Sequence, residues 1–210
     1  MVADGISTDL AKRAAASKAL EFVKSGMILG LGTGSTSAWF VKFLADKIIR
    51  EGLEVSCVAT SKRTEDQAHS LKIPLTTLEK IECIDLIVDG ADEFDLDLNL
   101  IKGGGGAHTR EKIIAAASKE FICIIDDSKI VKKLGSFPLA IEVVPMARSY
   151  VARQIVAMGG KPTYRVGFLT DSGNQIIDVI NLNFDVPYET EIRLNRIPGV
   201  VDNGIFATTK

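Results

Sequence analysis

MILGLGTGST, residues 27–36, sets a short apolar run, a loop of glycines and hydroxyls, and the opening of a helix expected over about 36–50 side by side. The apolar run is of buried-strand type, and the loop after it offers backbone amides and hydroxyls to an anion at a helix N-terminus. The same alternation continues outward. LEVSCVAT (53–60) reads as a strand, 62–71 as a helix, and IPLTTL and IDLIVDG as further extended segments; a helix from Thr109 and a strand FICIID (121–126) come next. Strands and helices in turn imply a parallel sheet covered on both faces. Beyond Gly135 the character changes to LAIEVV, a helix over about 147–158, then YRVGFLT and QIIDVINLNF joined by the turn signal DSGN at 171–174. A last helix near 188–196 precedes VVDNGIFATT. These segments predict a small second α+β unit joined near residues 136–138. The expected division is a main domain over 1–134, to which 205–210 return, and a smaller one over 135–204. Neither an internal repeat nor a low-complexity tract is visible.

The chain has 210 residues, 46% hydrophobic and 25% charged, with a mean hydropathy of +0.19, which suits a globular chain with a sizeable core. A net charge of -2 without a basic run leaves no electrostatic footprint for nucleic acid or an anionic membrane, so the expected partner is a small molecule. Cys57, Cys83 and Cys123 are odd in number, widely spaced and set in apolar runs, the pattern of reduced packing thiols. The N-terminal MVADGISTDL lacks a basic region followed by an apolar core, and no apolar segment reaches about 18 residues. A cytoplasmic protein is expected.

Three readings of the glycine loop separate on single positions. A Walker loop requires lysine before its Ser/Thr, and Gly34 stands there. A dinucleotide fingerprint matches at Gly30 and Gly32, but Ser35 occupies its third glycine and the second strand ends in Thr60 and Ser61 rather than a ribose-binding acid. Lys62 and Arg63 offer an NADP phosphate an alternative partner. The simpler inference is a phosphate monoester site in the loop over 30–36.

A second stretch, DGADEFDLDLNLIKGGGGAHTRE at 89–111, concentrates carboxylates, one lysine and four consecutive glycines in one connection. Asp89 and Asp92 sit where a strand meets a loop. Phe94, Leu96, Leu98 and Leu100 then alternate with polar residues, which predicts an extended segment whose Asp95 and Asp97 face solvent. A calcium loop is set aside, because Leu100 and Gly106 stand where its turn glycine and bidentate glutamate belong. The glycines at 103–106 allow backbone angles closed to other residues and close approach of a ligand. Thr109 is the expected N-cap of the next helix, with Glu111 in its first turn. In an open α/β sheet ligands bind outside the carboxyl ends of the strands, so residues 32–36, Asp89, Asp92 and Lys129 are expected to face one crevice. Lys12, on a helical stripe with Ala16 and Ala19, either joins them or snorkels to water.

TGST (33–36), DGADE (89–93), KGGGGA (102–107), TREK (109–112) and DDSK (126–129) closely resemble the type A ribose-5-phosphate isomerases, and VVPMAR, MGGKPTYR and IPGVV extend the likeness over almost the whole chain. The resemblance implies an α/β fold, with a Rossmann-like parallel-sheet main domain and a smaller α+β (ferredoxin-like) domain. It implies interconversion of D-ribose 5-phosphate and D-ribulose 5-phosphate with no metal and no cofactor, by a homodimer or homotetramer. Carried over by position, Glu111 is the base that moves a proton between C1 and C2 through a cis-enediolate. Lys102 and the amides of Gly103, Gly104 and Gly105 stabilise the oxyanion, while Asp89 and Asp92, with Gly90 and Ala91 beside them, hold sugar hydroxyls. Thr33, Ser35, Thr36, Lys129 and Lys12 match substrate and phosphate contacts. Two positions depart from the pattern: His108 replaces a common leucine and is expected to be a pocket-wall neighbour, and the chain stops at GIFATTK where the family's tail usually runs on. A non-enzymatic sugar-phosphate sensor is the alternative reading.

Overall fold

The computed structural model describes residues 2–208, with side chains from residue 8 onward. In chain order the elements are α1 (Val2–Ala19), β1 (Ile28–Leu31), α2 (Ser35–Glu51), β2 (Ser56–Ala59), α3 (Lys62–Ser70), β3 (Ile84–Asp89), β4 (Glu93–Phe94), β5 (Leu100–Ile101), α4 (His108–Ala116), β6 (Ser118–Cys123), β7 (Leu139–Val143), α5 (Arg148–Ala157), β8 (Lys161–Tyr164), β9 (Gln175–Ile180), α6 (Pro187–Asn195), β10 (Val200–Asn203) and β11 (Ile205–Phe206). The chain forms two compact units, one of Met1–Gly90 with Ile113–Ser128, the other of Ala91–Lys112 with Lys129–Lys210.

The first unit holds a four-stranded parallel sheet in the order β2-β1-β3-β6. Leu29, Leu31, Leu86 and Val88 of its central strands are buried with Phe40, Val41 and Leu44 of α2 and Ala16 and Ala19 of α1, which explains the near-continuous apolar runs. α2 ends on Gly52 in the left-handed conformation (φ 65°), and α3 begins on Ser61, whose hydroxyl accepts the Thr64 amide at 3.1 Å. β1 is flanked by β2 on one side and β3 on the other. The strand order therefore reverses at β1, and the carboxyl ends of β1 and β3 form the opening where open α/β sheets take ligands.

The second unit holds an antiparallel sheet in the order β10-β7-β9-β8 and a three-stranded sheet, β11-β5-β4. Its core joins Leu139, Ile141, Val143, Ile177 and Val179 of the larger sheet to Val151 and Ile155 of α5, Leu194 of α6, and Ile101 and Ile205 of the smaller sheet. The α/β class with a separate antiparallel unit thus agrees with the sequence.

Several local expectations are corrected. Residues 94–100 do not run extended. Asp95 is buried, and its Oδ1 accepts the amides of Asp97 (3.0 Å) and Asn99 (2.8 Å), bending the chain so that β4 and β5 pair as a hairpin. A short acid bonding its own downstream backbone outcompetes the period-two pattern, and the leucines that pattern placed inside are exposed instead, Leu96 at 82% and Leu98 at 62%. α4 opens at His108, one residue before the expected cap, and Thr109 donates to Glu142 Oε2 at 2.5 Å instead of capping. The strand expected at 164–170 lies at Lys161–Tyr164: the Arg165 amide still donates to the Ile176 carbonyl at 3.0 Å, and the turn at 166–167 ends the pairing. Glu93 is a scaffold acid: its carboxylate accepts the amides of Gly135 (2.7 Å) and Phe137 (2.6 Å).

Candidate active site

The predicted residues divide between the two units. Lys12, Thr33, Gly34, Ser35, Thr36, Asp89 and Gly90 belong to the first; Ala91, Asp92, Lys102, Gly103, Gly104, Gly105, Glu111 and Lys129 belong to the second.

In the first unit, Asp89 ends β3 fully buried, and its Oδ1 accepts three donors: the amides of Gly90 (2.8 Å) and Thr33 (3.0 Å) and the hydroxyl of Ser37 (3.1 Å). This carboxylate gathers the glycine loop against the end of its own strand. Gly32 is required for that approach, since a Cβ there would stand 2.1 Å from Asp89 Oδ1 and 2.6 Å from Asp89 Cα. The Thr33 hydroxyl turns inward to the hydroxyls of Ser61 (2.7 Å), Thr60 (2.8 Å) and Thr64 (3.1 Å). Thr60 and Thr64 in turn donate to the carbonyls of Leu31 (2.9 Å) and Gly32 (3.0 Å). Gly34 and Ser35 are exposed at the start of α2, whose first amides have no acceptor within the helix, while Thr36 is buried. The exposed tip of the loop is thus rich in donors and backed by a hydroxyl cluster, the chemistry that suits an anion. Ser61 and Thr64 belong to this cluster without any mark of it in the sequence, although Ser61 ahead of a helical pattern is a cap signal. Lys12 lies half-buried on α1, one turn before the buried Ala16.

In the second unit, Lys102 Nζ lies 3.4 Å from Glu111 Oε2, and both side chains are almost completely withdrawn from solvent, 3% and 6% exposed. Glu111 occupies the first turn of α4, its amide bonded to the Ala107 carbonyl at 2.9 Å. Asp92 receives the Gly104 amide on Oδ2 at 2.8 Å, while its own amide donates to Ile101 at 2.8 Å. The loop turns through Gly103 (φ 107°) and Gly106 (φ 77°), leaving Gly104 and Gly105 exposed. Arg165, ion-paired with Asp178, donates to the carbonyls of Gly103 and Gly104 at 3.3 Å. Because a trans peptide sets C=O and N–H in opposite directions, this turns the Gly105 amide away from Arg165. Arg165 was legible only as part of the MGGKPTYR resemblance. Lys129 closes a helical turn, Asp127–Lys129, and is half-buried.

Three neighbours of Glu111 anchor its helical turn, and the sequence marked none of them for that task. Thr109 holds Glu142. Lys112 donates to Glu191 (2.9 Å), Asp202 (2.9 Å) and the Asn203 carbonyl (2.7 Å). His108 is fully buried, with Nε2 3.4 Å from the Asp202 carbonyl. Burial pushes the His108 pKa from 6.5 down to about 4 against the opposing charges of Glu142 and Asp202, so the imidazole is neutral at physiological pH and packs as a wall. Since the folded state resists a proton that the unfolded chain accepts, stability falls as pH drops from about 6.5 to about 4. The difference in unfolding free energy between the native chain and His108→Leu is expected to change by about 3 kcal/mol over that window in urea titrations; a pH-independent difference would contradict the buried neutral imidazole.

Among the described residues, no group of three or more His, Cys, Asp or Glu is arranged to hold a metal ion, and no helix is long and apolar enough to cross a membrane. Cys57 packs inside β2, where burial pushes its thiol up to about 12.

Residues 56–210 match the family model described as ribose 5-phosphate isomerase A (phosphoriboisomerase A). The chain is 53% identical over 193 residues to ribose-5-phosphate isomerase A of Legionella pneumophila strain Lens, covering 92% of this chain and 88% of that one. Ribose 5 phosphate isomerase A from Neisseria gonorrhoeae superposes with a TM-score of 0.92 at 46% identity, over 95% of this chain and 88% of that one. A D-ribose-5-phosphate isomerase solved in complex with phospho-erythronic acid gives a TM-score of 0.93 at 41% identity, over 96% and 92%.

Proposed function

The chain belongs to the ribose 5-phosphate isomerase A family, and on that premise we propose that it interconverts D-ribose 5-phosphate and D-ribulose 5-phosphate in the non-oxidative pentose phosphate pathway. One observation carries the assignment of the chemistry: a carboxylate and an ammonium, Glu111 and Lys102, are buried together at a helix start beside a glycine loop. A C–H proton alpha to a carbonyl is weakly acidic, so its transfer requires a positioned base and a cation or donors at the oxygen that becomes negative. Glu111 takes the proton from C2 of the open-chain aldose and returns it to C1 of the cis-enediolate. Lys102 and the Gly105 amide lower the energy of the enediolate oxygens. Asp92, fixed by the Gly104 amide, holds the sugar hydroxyls, and Asp89 shares that task while it shapes the glycine loop.

Ser35, Gly34 and the first amides of α2 take the phosphate, with Lys129 and Lys12 adding positive charge. The phosphate does not react; its binding holds the sugar in the reactive geometry. A phosphorylated sugar acid bound to a relative belongs to the ligand class such a site accepts. The comparisons lend no support to a non-enzymatic sensor, since the relatives matched along most of the chain are isomerases. The protein is further proposed to be cytoplasmic and to assemble as a homodimer or homotetramer through residues 135–204.

Conversion of ribose 5-phosphate to ribulose 5-phosphate in the presence of EDTA, without nucleotide, tests the proposal. Turnover that survives chelation is expected. A folded sample with no turnover would sink the isomerase reading, and loss on chelation alone would replace it with a metal-assisted one.

A further inference from the structure

Arg165 reaches the glycine loop from a sheet strand 61 positions further along the chain. β8 and β9 pair antiparallel with Thr163 opposite Asp178, and the Arg165 amide carries the pairing on to the Ile176 carbonyl at 3.0 Å. Arg165 and Asp178 therefore project from one face, diagonally across the two strands. Asp178 accepts Nε on Oδ2 at 2.8 Å and Nη2 on Oδ1, which leaves the end of the guanidinium for the loop. Nη1 donates to the carbonyls of Gly103 and Gly104, and Nη2 to that of Gly103, each at 3.3 Å. Only glycine lets the backbone come this close to the sheet: a Cβ on Gly103 would stand 2.8 Å from the Ala140 Cβ and 2.9 Å from His108 Nδ1.

The amides of the same two peptides point the opposite way. That of Gly104 donates to Asp92 Oδ2 at 2.8 Å, and that of the exposed Gly105 bonds no group among the described residues. We propose that Arg165 is a positioning residue for the isomerisation, fixing both peptide planes so that the Gly104 amide holds Asp92 and the Gly105 amide meets the enediolate oxygen; this rests on the proposed isomerase function. Each carbonyl bond is long, but three of them on adjacent peptides restrain the rotation that four consecutive glycines would otherwise permit. A cation on a carbonyl oxygen also polarises the peptide, and hydrogen bonds in series strengthen one another, so the N–H becomes the better donor. Donors fixed before charge develops cost no reorganisation when it does. Asp178 holds the guanidinium at this angle and balances its charge in a place where Arg165 is only 19% exposed.

Arg165→Lys and Arg165→Ala test the role through the division between kcat and KM. One ammonium cannot grip a carboxylate at two points and reach two carbonyls, so Arg165→Lys is expected to lose about tenfold in kcat for ribose 5-phosphate, with KM within about threefold of native. Arg165→Ala should lose about 10²-fold, and added guanidinium at low millimolar concentration should restore part of that kcat where the same concentration of urea does not. Melting temperatures on the same samples establish that both variants are folded. A folded Arg165→Lys with native kcat would overturn the role, as would a loss confined to KM, or an Arg165→Ala kcat that guanidinium and urea affect alike. Absence of turnover in the unsubstituted protein would instead remove the isomerase reading, and this role with it.

Discussion

Glu111→Gln is expected to lower kcat by about 10²–10⁴ while KM for ribose 5-phosphate changes by only a few-fold. The substitution keeps the shape of the side chain and an oxygen toward Lys102, but an amide cannot take a proton from carbon. Removing an interaction made only in the transition state confines the loss to kcat, and 10²–10⁴ corresponds to about 3–5 kcal/mol of barrier. The pair is buried, Lys102 Nζ lying 3.4 Å from Glu111 Oε2, so the variant also leaves an ammonium without its counter-charge in a poorly solvated place. Some loss of stability should accompany the loss of rate. Lys102→Met addresses that contribution: it leaves the base in place and withdraws the cation, and the double variant shows how far the two act as one unit. Steady-state kinetics on samples checked by thermal melting decide the matter. Near-normal turnover by folded Glu111→Gln would remove Glu111 from the chemistry.

Legibility in the sequence tracks the range of the interactions involved. The parallel sheet was legible because β1 and β3 are buried on both faces, and their apolar runs carry that signal without reference to any other part of the chain. The place of Glu111 in the first turn of a helix was legible because a glycine run ahead of a helix start is a local pattern. Glu142 and Glu191 were not: each bonds a residue 33 or 79 positions away, through contacts that no periodicity encodes. The failure at 94–100 was of another kind. There the pattern was present and clear, but one carboxylate, Asp95, folded the segment back on itself. Alternation predicts a strand only where no short polar side chain can bond its own backbone more cheaply.

Asp89 gives the second large effect, and it separates scaffold from chemistry. Asp89→Ala deprives the amides of Thr33 and Gly90 and the hydroxyl of Ser37 of their shared buried acceptor, and a donor left unpaired away from water costs about 1–3 kcal/mol. Partial rearrangement of the loop limits the total, so a loss of about 3–5 kcal/mol is expected, a fall in melting temperature on the order of 10 °C for a chain of this size. Phosphate binding should weaken with it, because the loop that presents the start of α2 is the one this carboxylate gathers. Asp89→Asn behaves differently. Its amide oxygen can occupy the Oδ1 position and keep the three donors satisfied, so most of the stability should survive, whereas the negative charge is gone. If the carboxylate also serves the sugar hydroxyls, kcat in Asp89→Asn falls by about 10²-fold with the melting temperature near native. If Asp89 serves only the loop, Asp89→Asn turns over almost normally and Asp89→Ala alone is impaired. Melting curves and kinetics on the same two preparations distinguish the outcomes, since only a catalytic carboxylate separates rate from stability.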